Sequence, residues 1–158
     1  MNNWHDEIYQ FIELTTKHEV KMILVGGGAV NFHGYQRSSI DVDFWIDLKE
    51  ENLSKLILVL NEMGYEINDF PKEIKEGMQN ISIKFTQDIE LELITRFSIN
   101  KSFEQAYKDA IYVKKNEQNI LYWRVLSYDD LITSKIKSNR PKDLLDIQQL
   151  EKIKKQNK

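Results

Sequence analysis

The run from Ile23 to Asp47, ILVGGGAVNFHGYQRSSIDVDFWID, constrains this chain most, because a glycine triplet follows one apolar strand and two aspartates alternate within the next. The stretch Lys21 to Val25 is short, apolar and bounded by Gly26, Gly27 and Gly28. It reads as a buried strand entering a turn where the backbone comes close to another group. From Ser39 the pattern alternates strictly, with Ile40, Val42, Phe44 and Ile46 on one side and Asp41, Asp43, Trp45 and Asp47 on the other. Asp41 and Asp43 therefore share a face, their Cα atoms roughly 6 to 7 Å apart by the rise of a strand. Their oxygens can converge on one cation or on two adjacent ones. Taken alone, such a pair reads more simply as the watered face of a half-buried strand.

A second acidic strand adds weight to the cation. In Ile89 to Ile94, Ile89, Leu91 and Leu93 form one face and Glu90 and Glu92 the other. If this strand lies beside Asp41 to Asp47 with both apolar faces on one core, two acidic ladders meet. Like charges across strands destabilise a sheet, and clustered carboxylates raise one another's pKa unless a cation intervenes. Whether the strands are neighbours is a tertiary matter that the sequence leaves open.

Other uses of the glycines fit less well. Gly26, Gly28 and Asn31 make an imperfect GxGxxG, with Asp47 near the position of a ribose-binding acid. Asn31 to Ser39, however, is too short and too polar for the crossover helix of a parallel unit. A phosphate-cradling GK[ST] is absent. His5, His18 and His33 lack ligand spacing, and Trp45, Tyr35 and Trp123 read as core or rim aromatics.

At 158 residues the chain suits one domain with a sizeable core, residues 1–126 carrying the site and 127–158 forming C-terminal helices. With no cysteine, disulfides and thiolate metal sites are excluded, which fits a reducing cytoplasm. MNNWHDEIYQ resembles no secretory signal, and no apolar run reaches membrane-spanning length. A net charge of -3 argues against general DNA binding. A local basic cluster at Lys135, Lys137, Arg140 and Lys142 offers a dock for nucleotide or tRNA phosphates, or else a solvated helix junction.

Periodicity predicts helices at Trp4 to Lys17, Ala29 to Gly34, Glu51 to Met63, Ser102 to Ala110, Tyr128 to Lys137 and Lys142 to Lys155. Strands are expected at Met22 to Val25, Ile40 to Asp47, Ile81 to Thr86, Ile89 to Ile94, Ile111 to Lys114 and Ile120 to Trp123, the last two forming a hairpin. Together they predict an α+β fold with helices packed on a mixed sheet.

These residues resemble the nucleotidyltransferase superfamily with its polymerase-beta-like fold, and within it the small bacterial members of the minimal nucleotidyltransferase and AbiEii-type toxin subgroup. The carriers are Val25, Gly26 and Gly27, then Asp41 and Asp43, then Glu92 as third acid with Glu90 as the alternative. Gly34, Tyr35, Arg37, Ser39, Asp41 and Asp43 match the subgroup's Gly-Tyr-x-Arg-x-Thr-x-Asp-x-Asp, serine standing where threonine is usual. KIKSNRPKDLLDI, with Lys135, Arg140, Pro141, Lys142, Asp143 and Asp146, is similar to its C-terminal tail. The resemblance implies Mg²⁺ or Mn²⁺ on Asp41, Asp43 and Glu92, and transfer of a nucleoside monophosphate from a triphosphate such as ATP. Gly26, Gly27, Arg37, Ser39 and Lys135 would contact the nucleotide. The acceptor hydroxyl would belong to a protein, a tRNA or a small molecule. The alternative is a non-catalytic nucleotide-binding module or toxin-antitoxin partner of the same fold.

Overall fold

The computed structural model of the chain describes residues 4–36, 41–116 and 118–157. Helix α1 (Asp6–Lys17) buries Ile8, Phe11, Ile12 and Thr15, the spacing of a single helical stripe. It leads into strand β1 (Met22–Val25), buried along its whole length. Helix α2 (Gly26–Phe32) starts on the first glycine rather than at Ala29. The glycines predicted to form a turn are instead the helix's opening residues. Two local needs explain them: Gly26 adopts φ +60°, a left-handed conformation that disfavours any Cβ, and a Cβ on Gly28 would lie 2.8 Å from Leu24 Cδ1.

Strand β2 (Asp41–Ile46) precedes α3 (Glu50–Glu62), whose Leu53, Leu56, Val59 and Leu60 are buried. A single helical turn, α4 (Lys72–Lys75), was not legible in sequence, since four residues cannot display a period. Then come β3 (Ile81–Lys84), β4 (Glu90–Ile94), α5 (Phe103–Asp109), β5 (Ile111–Asn116) and β6 (Ile120–Val125). The C-terminal pair is α6 (Tyr128–Ser138), capped by Ser127 Oγ accepting from the Asp130 amide, and α7 (Pro141–Gln156).

The six strands form one sheet in the order β3-β4-β2-β1-β6-β5. β2 runs antiparallel to β1 and parallel to β4, and β6 runs parallel to β1. β3/β4 and β5/β6 are antiparallel pairs, the second being the expected hairpin. The mixed sheet with packed helices is the α+β architecture anticipated. Its apolar face, with Phe44 and Trp123, lies under α1, where Phe11 sits 6.2 Å from Phe44 and Trp4 sits 5.3 Å from Trp123. Trp45 points to the opposite face and is clasped by Phe97 and Phe103, as rim packing predicts. No helix among the described residues is long and apolar enough to cross a membrane.

Candidate active site

The sheet order supplies the adjacency that sequence left open. β2 lies between β1 and β4, and the register sets Asp43 beside Val25 on one side and Glu92 on the other. Asp41 pairs with Glu90 in the same ladder. The four acids thus share one sheet face, with Asp43 and Glu92 as direct neighbours. Because Val25 is the last residue of β1, the chain turns into α2 immediately above Asp43. A Cβ on Gly26 would stand 2.7 Å from Asp43 Oδ2.

This crowding has an electrostatic result. Burial pushes the Asp43 carboxyl up to about 6, Glu92 and Asp41 push the same way, and Lys142 opposes them. Asp43 Oδ1 is buried and has no hydrogen-bond partner among the described residues. A buried, unpartnered carboxylate oxygen is costly unless a cation or donor meets it.

Glu92 is oriented by a residue the sequence did not single out: Asn80 Nδ2 donates to Glu92 Oε1 at 3.3 Å. Asn80 is itself held by the Thr95 amide and hydroxyl, which donate to its Oδ1 at 3.0 and 3.3 Å. Asn80 lies just ahead of β3 and has no periodic or motif signal, so nothing marked it in advance. Among the described residues no three His, Cys, Asp or Glu side chains are already gathered into a metal-holding cluster. The strands align the backbones of Asp41, Asp43 and Glu92, while Asn80 draws the Glu92 carboxylate toward β3. The donor set still fits a hard divalent cation, which takes carboxylate oxygens of this kind and would relieve the unpartnered Oδ1 and the mutual repulsion.

The remaining expected residues divide. Gly27 is buried in the first turn of α2, directly after Gly26. Arg37 and Ser39 lie outside the described residues. Lys135 is buried, and its Nζ pairs with Asp143 Oδ1 at 3.3 Å and Asp146 Oδ2 at 3.1 Å, so its immediate partners are these two aspartates. Arg140 joins the same group, donating from Nε to Asp143 Oδ2 at 2.7 Å while its backbone amide donates there at 3.1 Å. Burial alone would raise the Asp143 carboxyl, but the two Arg140 hydrogen bonds and the Lys135 charge hold it below the usual carboxylate range.

The consequence is a rigid α6–α7 corner. Asn139, in the left-handed conformation at φ 49°, ends α6, and Pro141 opens α7. The corner carries Arg140 and Lys142 into the field of Asp43, each interacting favourably with it. The basic cluster expected near residue 140 thus divides into a buried Lys135 that fixes the corner, an Arg140 bound to Asp143, a Lys142 whose charge reaches Asp43, and an exposed Lys137.

Known folds share this architecture. The lincosamide antibiotic adenylyltransferase LnuA, solved with lincomycin bound, is similar in structure at a TM-score of 0.58 and 17% identity, over 95% of this chain and 98% of that one. ANT(2")-Ia, solved in complex with adenylyl-2"-tobramycin, is similar at a TM-score of 0.50 and 11% identity, over 91% of this chain and 84% of that one. At such identities the likeness establishes the fold. No curated protein sequence matches significantly. The family that does match is not the AbiEii-type subgroup suggested by the motifs. A family model described as "Nucleotidyltransferase of unknown function (DUF6036)" matches residues 6–157, and the chain belongs to that nucleotidyltransferase family.

Proposed function

We propose that the chain transfers a nucleoside monophosphate from a nucleoside triphosphate to an acceptor hydroxyl, in a reaction dependent on Mg²⁺ or Mn²⁺. The observation that carries this reading is the junction of Gly26 with Asp43, where a half-buried carboxylate beside Glu92 meets a helix start that has no room for a side chain. Such a junction holds an acid against a helix start whose backbone carries no Cβ.

Asp41, Asp43 and Glu92 would hold the metal, which when bound neutralises triphosphate charge and makes the acceptor hydroxyl easier to deprotonate. Glu92, steadied by Asn80, takes the acceptor proton. The acceptor oxygen then bonds to the α-phosphorus as the bond from that phosphorus to the bridging oxygen breaks, and pyrophosphate leaves with the electron pair. Gly26 and Gly27 admit the phosphates without a Cβ clash. Arg37 and Ser39 would contact the phosphates, and Arg140 and Lys142 offset the remaining charge from the α7 side. Lys135 serves the nucleotide indirectly, by fixing that corner.

The acceptor is a protein, a tRNA or a small hydroxylated molecule; the antibiotics bound in the two structural neighbours support the last of these. A second reading, nucleotide binding without turnover, is favoured by the absence of a pre-gathered ligand cluster among the described residues. One experiment separates them. Each α-labelled triphosphate is incubated with the protein, Mg²⁺ or Mn²⁺, and lysate, tRNA or small-molecule acceptors. Label should move to an acceptor with wild type and not with Asp41→Asn/Asp43→Asn. Calorimetric binding of a triphosphate without any transfer would select the second reading, and absence of both would overturn each.

A further inference from the structure

The sheet face that bears the acids carries a second feature toward its other edge. Ile23 pairs with Trp45 in β2 and with Arg124 in β6, and Arg124 pairs with Tyr112 in β5, so these residues lie on one face with Asp43. An aromatic path runs along it. Phe103 lies 5.1 Å from Trp45, and Tyr107 stacks on Phe103 at 5.6 Å. The Arg124 guanidinium is 4.5 Å from the Tyr107 ring and 5.4 Å from Tyr112, and Tyr122 is 5.7 Å beyond Tyr112. The inner end is buried, whereas Tyr112 on the edge strand is 49% exposed.

The cations on this path are unusual in their surroundings. Arg124 is joined by Lys21, 5.8 Å over the Tyr107 ring, and by Lys114, the cross-strand partner of Tyr122. None of the three has a carboxylate ion-pair partner among the described residues. In a chain with 25 acidic and 22 basic side chains, three cations set among tyrosines make no ion pair with a carboxylate, although burial and, after it, the nearby Glu19 push the Tyr122 hydroxyl up, and Asp47 and Glu51 line a cavity with Lys21. The Arg124 Nε is buried and has no hydrogen-bond partner among the described residues.

Rings alternating with unpaired cations match a ligand that alternates flat bases with phosphates. The geometry points to a platform for an unpaired nucleic-acid strand, whose bases stack on Tyr112 and Tyr122 and whose phosphates meet Arg124, Lys114 and Lys21. The row's inner end is closed, Trp45 being 5% exposed and packed against Phe97 and Phe103, so the strand lies over the β5–β6 edge at Tyr112, Tyr122 and Lys114. The platform does not depend on the transfer reading.

The test is fluorescence anisotropy with end-labelled, unstructured ten-nucleotide strands of RNA and of DNA, and with a duplex of the same sequence. One or both single strands should bind more tightly than the duplex, and the two arms identify which source is used. Tyr112→Ala should weaken binding about tenfold, the loss of one stacked base, while Tyr112→Phe retains it and Lys114→Glu weakens it more at low salt than at high. Tyr112 and Lys114 are exposed, so these variants keep the fold. No strand binding, equal affinity for the duplex, or an unchanged Tyr112→Ala would overturn the platform. Triphosphate binding measured on the same protein keeps the two ideas apart. Nucleotide bound without strand sinks the platform alone, and strand bound without nucleotide sinks the transfer reading alone.

Discussion

Gly26 and Asp43 approach so closely that a Cβ on the glycine would sit 2.7 Å from the aspartate's Oδ2, with Gly26 at φ +60°. Gly26→Ala therefore meets two penalties at once, a left-handed backbone and a steric conflict with the carboxylate. We expect a loss of roughly 1 to 3 kcal/mol in stability and a displaced Asp43. Chemical denaturation measures the first, and nucleotidyl transfer the second. An alanine variant with wild-type stability and activity would disprove the close approach.

Asp43 predicts an unusual pH dependence. Its native carboxyl is pushed up to about 6 from the ordinary 3.8, so between those pH values the folded state holds a proton that the unfolded chain has lost. Stability then falls as pH rises from about 4 to about 6 and stays lower above, by at most about 3 kcal/mol. Asp43→Asn removes this dependence and should be more stable than wild type at pH 7.5 but not at pH 4. Parallel stability curves for the two proteins across that range would rule the effect out.

Metal and nucleotide should reverse that penalty. A ligand bound only by the native state stabilises it by mass action, about 2.7 kcal/mol at a hundredfold excess over Kd. A melting temperature raised by millimolar Mg²⁺ or Mn²⁺ with triphosphate, and unmoved in Asp41→Asn/Asp43→Asn, is the expected result. An unchanged wild-type Tm at those concentrations would refute it.

Lys135 should behave as a structural cation first. Lys135→Met removes the buried cation that Asp143 and Asp146 face at 3.3 and 3.1 Å, a loss of about 3 to 5 kcal/mol. Lys135→Met/Asp146→Leu should recover part of it. Urea midpoints decide the matter, and a midpoint unaffected by the single change would mean that the pair contributes nothing to the corner.

Lys142 is exposed and adjoins this corner, so its removal separates charge from folding. Lys142→Ala should leave the urea midpoint within about 0.5 kcal/mol, as surface changes usually do, while raising the KM for triphosphate several-fold. A lowered midpoint with unchanged KM would assign Lys142 to the fold instead.

Local chemistry was written plainly in the chain. Strict alternation in Asp41 to Ile46 and Glu90 to Ile94 places acids opposite core residues, because a strand has a period of two. Ser127, three residues ahead of Asp130, and the proline at 141 are local signals of where α6 and α7 begin, since caps and fixed φ act within a few residues. The β5/β6 hairpin was visible for the same reason.

What lay beyond the sequence was everything that depends on which elements become neighbours. Asp43 meets Glu92 only because β2 inserts between β1 and β4, and hydrogen-bond pairing between distant strands leaves no trace in either one. Lys135 looked like a phosphate contact because its motif is basic, yet burial between two aspartates from α7 gave it partners that no spacing could reveal. Asn80, Arg140 and Lys142 reached the acids by the packing of whole elements. Alternation, glycine and capping are properties of contiguous residues, so the chain alone determined them; convergence of charge is a property of space, and the tertiary structure alone decided it.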